Sequence, residues 1–105
     1  MASTKDISLD YRVLETDQQI FAVAQNHPNP WTDQTSVSVY MPEAGLIELE
    51  VYNTNGQVVH TNSYRLEAGH QMITIRSEEL NGSGLYHYKL SSGRSSVTRR
   101  FLLIE

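Results

Sequence analysis

From Phe21 onward, apolar and polar side chains alternate with a period of two, which places successive side chains on opposite faces of a pleated strand. In "LIELEVY", residues 46–52, Ile47, Leu49 and Val51 share one face while Glu48 and Glu50 take the other. That is the pattern of an antiparallel strand with a core on one side and water on the other. The same inward phase recurs in Val37, Val39 and Met41, in Ile73 and Ile75, and in Tyr86, Tyr88 and Leu90. No long window keeps the i, i+3, i+4, i+7 spacing of an amphipathic helix. The chain therefore reads as all-β.

Turn signals separate these runs. Asn55-Gly56 in "NTNG" is a strong hairpin cue, because both residue types tolerate a positive φ. "PEAG" (42–45), "EAG" (67–69), "NGSG" (81–84) and "SSG" (91–93) punctuate the rest. The predicted strands are 21–25, 35–41, 46–52, 57–64, 70–76, 84–91 and 95–104. About seven short strands at this spacing predict an antiparallel, Ig-like β-sandwich over residues 21–105. Residues 1–20 read as an added start and a linker, or as the tail of a preceding module. Ile7, Leu9 and Tyr11 alternate like an extra edge strand before the polar "ETDQQ".

One stretch breaks the alternation. In "QNHPNPW", residues 25–31, Pro28 and Pro30 each fix φ and remove an N–H, and each pushes the residue before it, His27 and Asn29, out of the α region. The segment can be neither a helix nor a central strand. It predicts a stiff extended corner, with Trp31, the one tryptophan of the chain, anchoring it against the core.

Composition narrows the function. At 105 residues the chain is one domain by length, and its zero cysteines exclude a disulfide framework, thiolate metal sites and a cysteine nucleophile. The net charge of −4 is unevenly placed. Lys89, Arg94, Arg99 and Arg100 face only Glu105 in the last segment, while the rest is strongly acidic. An acidic body argues against nucleic-acid binding, and a basic end reads as a guarded edge strand or an interaction tail. No apolar run is long enough for a membrane helix, and "MASTKDIS" lacks the apolar centre of a signal peptide.

Catalytic patterns are missing. His27, His60, His70 and His87 match no compact metal spacing, and His87 is expected to face solvent, opposite Tyr86 and Tyr88. "NGSGL" lacks the G-x-S-x-G spacing and the strand-to-helix context of a nucleophile elbow. "NGS" at 81–83 fits the glycosylation tripeptide but is explained by a turn. The carboxylate pairs Glu48 with Glu50 and Glu78 with Glu79 read as solubilising charge. No enzyme, metal or cofactor is expected. Tyr40, Tyr52 and Trp31 remain as a sugar-binding platform, which would make the domain an accessory module binding carbohydrate or another surface ligand.

Taken in order, the punctuation forms one pattern: "FAVAQNHPNPW", "TSVSVYMPEAGLIELEVYNTNGQVV", "LEAGHQMITI", "ELNGSGLYHYKLSSG" and the terminal "RRFLLIE". Over about residues 21–105 it resembles the type A C-terminal sorting domain of proteins exported by the type IX secretion system of Bacteroidetes. No single element is specific, but the ordered set is. Trp31 stands where that family usually has Phe, and Arg99 and Arg100 stand where Lys pairs are frequent. The related Ig-like module of flagellar hook-capping proteins shares the "PNPF" and "G-x-Y" punctuation.

The resemblance implies a non-catalytic folded address behind an N-terminal cargo domain, with a seven-stranded Ig-like fold. The outer-membrane translocon of the type IX system would recognise it, and a sortase-like peptidase would then remove it. The cargo would pass through the periplasm and outer membrane of a Gram-negative bacterium to the surface or the medium, without membrane insertion of the domain. The residues implied in recognition are Pro28, Asn29, Pro30, Trp31, Gly45, Gly56, Gly69, Gly84, Tyr86, Arg99, Arg100 and Phe101. The last strand is expected to pack Phe101 and Leu103 inward and to hold its arginines as charge beside an open edge.

Overall fold

A computed structural model of the chain describes residues 20–105. The expected start and linker or module tail, and with it the alternation at Ile7, Leu9 and Tyr11, falls on residues 1–19, outside the described residues. The alternating segments form β1 (Ala22–Val23), β2 (Gln34–Met41), β3 (Gly45–Tyr52), β4 (Val58–Leu66), β5 (Gly69–Arg76), β6 (Gly84–Ser92) and β7 (Ser95–Leu103). They pair as two antiparallel sheets, β1-β2-β5 and β4-β3-β6-β7. The fold is the expected Ig-like sandwich.

Each inward phase read from the sequence is buried. Val37, Val39 and Met41 on β2 and Ile73 and Ile75 on β5 face Ile47, Leu49 and Val51 on β3 and Tyr86, Tyr88 and Leu90 on β6. Burying one such aliphatic side chain contributes roughly 1.5–3 kcal/mol, so this shared layer is the main source of stability in a chain without disulfides. His87 is half-buried rather than fully solvent-facing, because it lies on a central strand between β3 and β7.

Most strand boundaries lie within one residue of expectation, and the larger differences, in β1 and β4, have local reasons. β1 is two residues long because its regular pairing with β2 stops once Ala24 N–H has bonded Ser38 C=O at 2.9 Å, and the chain rejoins β2 only at the single bridge His27–Ser36. β4 continues to Leu66 because its ladder with β3 runs on to the pair Gly45–Leu66. Near the other end, Tyr52 pairs with Val58 and Val51 with His60, which leaves Val59 as the extra residue of a bulge. Asn53 organises the adjoining turn: its side-chain oxygen accepts the N–H groups of Asn55 and Gln57, and Gly56 takes φ 81°. A 3-10 turn, Ser77–Glu79, links β5 to β6, and the Glu79 carboxylate accepts Arg76 N–H at 3.0 Å.

Candidate functional site

Residues 24–31 cross from one sheet to the other along the side where β1 and β7 lie. Both prolines follow cis peptide bonds. The stretch is fastened to sheet one by paired hydrogen bonds between His27 and Ser36, at 2.8 and 3.0 Å. Its inner polar side chains satisfy one another. Asn26 and Thr35, 3% and 1% exposed, meet where the Asn26 amide donates to Thr35 Oγ1 and to Pro28 C=O, both at 2.9 Å. Thr35 then donates to Pro28 C=O at 2.7 Å, and Tyr88 Oη accepts Asn26 N–H at 3.0 Å. Buried polar groups held this way specify one geometry, since each partner lost would leave another orphaned.

On its other side the corner binds the last strand. Gln25 Nε2 donates to Arg100 C=O at 2.8 Å, and Leu102 N–H donates to Asn29 Oδ1 at 3.0 Å. Trp31 N–H donates to Leu102 C=O at 3.1 Å, and Ile104 N–H donates to Trp31 C=O at 2.8 Å. Trp31 is thus a short parallel addition beside Leu103, and it covers the second half of the β7 edge that was expected to be open. The first half, at Ser96 and Thr98, has no neighbouring strand among the described residues.

Beneath these bonds lies an aromatic cluster. Trp31, 1% exposed, meets Phe101 edge-on at 5.2 Å and 87°, and Phe101 stacks on Tyr88 at 5.3 Å and contacts Tyr86 at 5.8 Å. Edge-to-face and offset pairs of this kind add roughly 0.5–1.5 kcal/mol each beyond burial. Tyr86 Oη donates to Gly82 C=O. Burial pushes the Tyr88 hydroxyl above its ordinary value of 10.0, partly offset by the Asn26 N–H it accepts and by Arg99 nearby. The Trp31 indole N–H is buried without an acceptor.

The two arginines do different things. Arg99 shares the inward phase of Phe101 and reaches across the sandwich, donating from Nε to Val23 C=O at 2.9 Å. Arg100 takes the opposite phase and is exposed. They are not a doublet, and of the two only Arg100 offers a charge free of that crossing bond.

The fold brings together Pro28, Asn29, Pro30, Trp31, Gly84, Tyr86, Arg99, Arg100 and Phe101. The three residues 28–30 are exposed, whereas Trp31, Tyr86 and Phe101 are buried beneath them. Gly84 opens β6 opposite Leu103 with φ 149°. Gly56 sits in the β3–β4 turn, off the corner, and Gly45 and Gly69 lie at the far end of the sandwich. Sequence reasoning missed Asn26, Thr35 and Tyr88 as the locks of the corner. Thr35 carried a signal: it is a polar residue on the inward phase of Val37 and Val39.

Trp31, Tyr40 and Tyr52 do not come together as one platform. Trp31 is buried, Tyr40 packs on His70 in sheet one, and Tyr52 lies on sheet two donating to Glu50. Glu50 also lies 3.8 Å from Lys89. Among the described residues no cluster of His, Asp or Glu could hold a metal ion.

Two antiparallel sheets joined by such a corner define the class of Ig-like β-sandwiches. Within that class, residues 25–105 match the family of secretion-system C-terminal sorting domains, and the chain belongs to that family. Its role is that of a secretion signal associated with the type IX system. No curated protein matches the chain. Among solved structures, dimeric latent PorU from Porphyromonas gingivalis aligns with TM-score 0.59 and 14% identity over 81% of this chain and 9% of PorU. A β-glucosidase from Listeria innocua aligns with TM-score 0.51 and 12% identity over 80% of this chain and 16% of the enzyme. One from Erythrobacter marinus aligns with TM-score 0.50 and 14% identity over 81% and 15%. The chain spans less than a fifth of each of these proteins. At such identities the likeness shows the fold alone.

Proposed function

We propose that the domain is a non-catalytic address, read by the outer-membrane translocon of the type IX system at the surface where the corner meets β7. After passage, a sortase-like peptidase separates it from an N-terminal cargo, which reaches the cell surface or the medium. The observation that carries this reading is the capture of Leu102: its N–H and C=O are held by Asn29 and Trp31. The two ends of the family's sequence pattern thereby become one exposed surface, bearing Pro28, Asn29, Pro30 and the Arg100 charge. A receptor gains selectivity from such fixed charge and shape.

The test is export of a reporter fused ahead of the chain in a host that has the system. Arg100→Gln removes the charge and keeps a polar side chain, and a surface change of this kind alters folding by within about 0.5 kcal/mol. Reduced export at an unchanged thermal midpoint is expected. Normal export of Arg100→Gln together with Asn29→Ala would remove this surface from recognition.

A further inference from the structure

Four strands end the two sheets, and three of their edges are protected. β1 has two residues, and the corner runs on past it. β7 is covered over its second half by residues 25–31, and its open half is flanked by Arg94, Arg99 and Arg100. β4 carries the bulge at Val59, and its outward Ser63 N–H is taken by the Asn62 side chain at 2.8 Å. Bulges, charge and covering segments are the usual means of keeping an edge from pairing.

β5 has none of these over its central residues. Ser36 and Ser38 turn their backbone groups toward residues 24–27, so Thr35, Val37, Val39 and Met41 bond β5 through Ile75, Ile73, Gln71 and Gly69. His70, Met72, Thr74 and Arg76 therefore point their N–H and C=O groups outward. The Arg76 N–H is already bonded by Glu79. His70, Met72 and Thr74 are left, with no neighbouring strand among the described residues. The run "HQMITI" contains no Pro, Lys, Arg, Asp or Glu, and Met72 at its centre is 61% exposed.

We propose that this edge is where two copies of the chain pair, β5 against β5 in antiparallel register about a two-fold axis at Met72. In that register Met72 faces Met72 of the second copy and His70 faces Thr74, so each free outward residue exchanges both backbone groups. Arg76 falls opposite Ala68 of the other copy, next to the exposed Glu67, so the two-fold axis brings opposite charges near each other at both ends of the pairing. Self-pairing of the open half of β7 would instead gather arginines of like charge. The result is a continuous six-stranded sheet with the two Met72 side chains packed side by side on its outer face. It leaves the corner and β7 on the far side of each copy, so a paired signal presents two reading surfaces and gains from multivalent contact. The pairing does not depend on what reads those surfaces.

The test is sedimentation equilibrium of the 105-residue chain from micromolar to millimolar concentration. A shift from monomer to dimer mass is expected. Met72→Lys, which sets two ammonium groups face to face at the axis, should weaken the dimer about tenfold or more. The chain has no cysteine, so Met72→Cys supplies a lone thiol. A hydrogen-bonded antiparallel pair has Cα atoms about 5.5 Å apart, within disulfide reach. Mild oxidation should cross-link Met72→Cys at concentrations where Ser96→Cys, on the open half of β7, stays monomeric. A monomer throughout, a dimer indifferent to Met72→Lys, or equal cross-linking at both cysteines would overturn the proposal.

Discussion

Replacing Trp31 by alanine tests the corner directly. The indole is almost fully buried against Phe101, and a buried tryptophan removes roughly 150–250 Å² from water, about 4–6 kcal/mol at ~25 cal/mol per Å². Against this, the wild-type indole N–H is buried without an acceptor, and removing it relieves about 1–3 kcal/mol. The net expected loss centres on about 3 kcal/mol, at the lower end of the ~3–5 kcal/mol usual for truncating a large buried aromatic. For a domain of this size it corresponds to a fall in midpoint of roughly 10–25 °C. Urea unfolding followed by far-UV circular dichroism measures it; fluorescence cannot, because the substitution removes the lone tryptophan. Trp31→Phe drops the orphan N–H and keeps a ring beside Phe101, so it should cost less than about 1.5 kcal/mol. Hydrogen exchange should locate the damage: the Ile104 amide, bonded to Trp31 C=O, should lose protection before the amides of the β2–β5 ladder. An unchanged midpoint, or a phenylalanine variant as damaged as the alanine one, would refute the account of the indole as the anchor.

Thr35→Val keeps shape but deprives Pro28 C=O of a donor and the Asn26 amide of an acceptor, and urea denaturation should show a loss of about 1–3 kcal/mol, largely restored by Thr35→Ser. Arg99→Gln should cost about 1 kcal/mol by thermal melting, because its bond to Val23 C=O crosses the sandwich at an exposed site, while Arg100→Gln stays within about 0.5 kcal/mol. Burial raises the hydroxyls of Tyr88 and Tyr64 above their ordinary 10.0, so the folded state holds those protons more tightly than the unfolded chain. Stability from this source is fully present below pH 10 and falls as pH rises through the raised values, a fall that Tyr88→Phe should make shallower in melts taken across the alkaline range.

Most of the fold was legible because a half-buried strand writes its orientation into every second residue. Ile47, Leu49 and Val51 could face only one way, and a one-residue slip would have put Glu48 and Glu50 in the core. The turns were equally local, since Asn53 with Asn55-Gly56 closes the β3–β4 loop within its own few residues. The rigidity of "HPNPW" and the anchoring role of Trp31 followed from proline backbone restriction and ring size. The sheet partners did not follow in this way. Nothing in "RRFLLIE" announces that Leu102 is bonded by Asn29, because that contact joins positions 73 residues apart. Arg99 and Arg100 read as one basic doublet until the pleat sent them to opposite faces. The glycines divided for the same reason: Gly84 came to the corner through its ladder with β7, and Gly45 and Gly69 went to the other end.

By itself, then, the sequence determined what depends on neighbours along the chain: an all-β sandwich, the inward face of its strands, the stiff corner and the family pattern. Only the tertiary structure decided which edges are closed, which arginine is free and where the corner docks. Those outcomes depend on backbone hydrogen bonds between distant strands, and a backbone N–H or C=O carries no side-chain label by which its distant partner could be read.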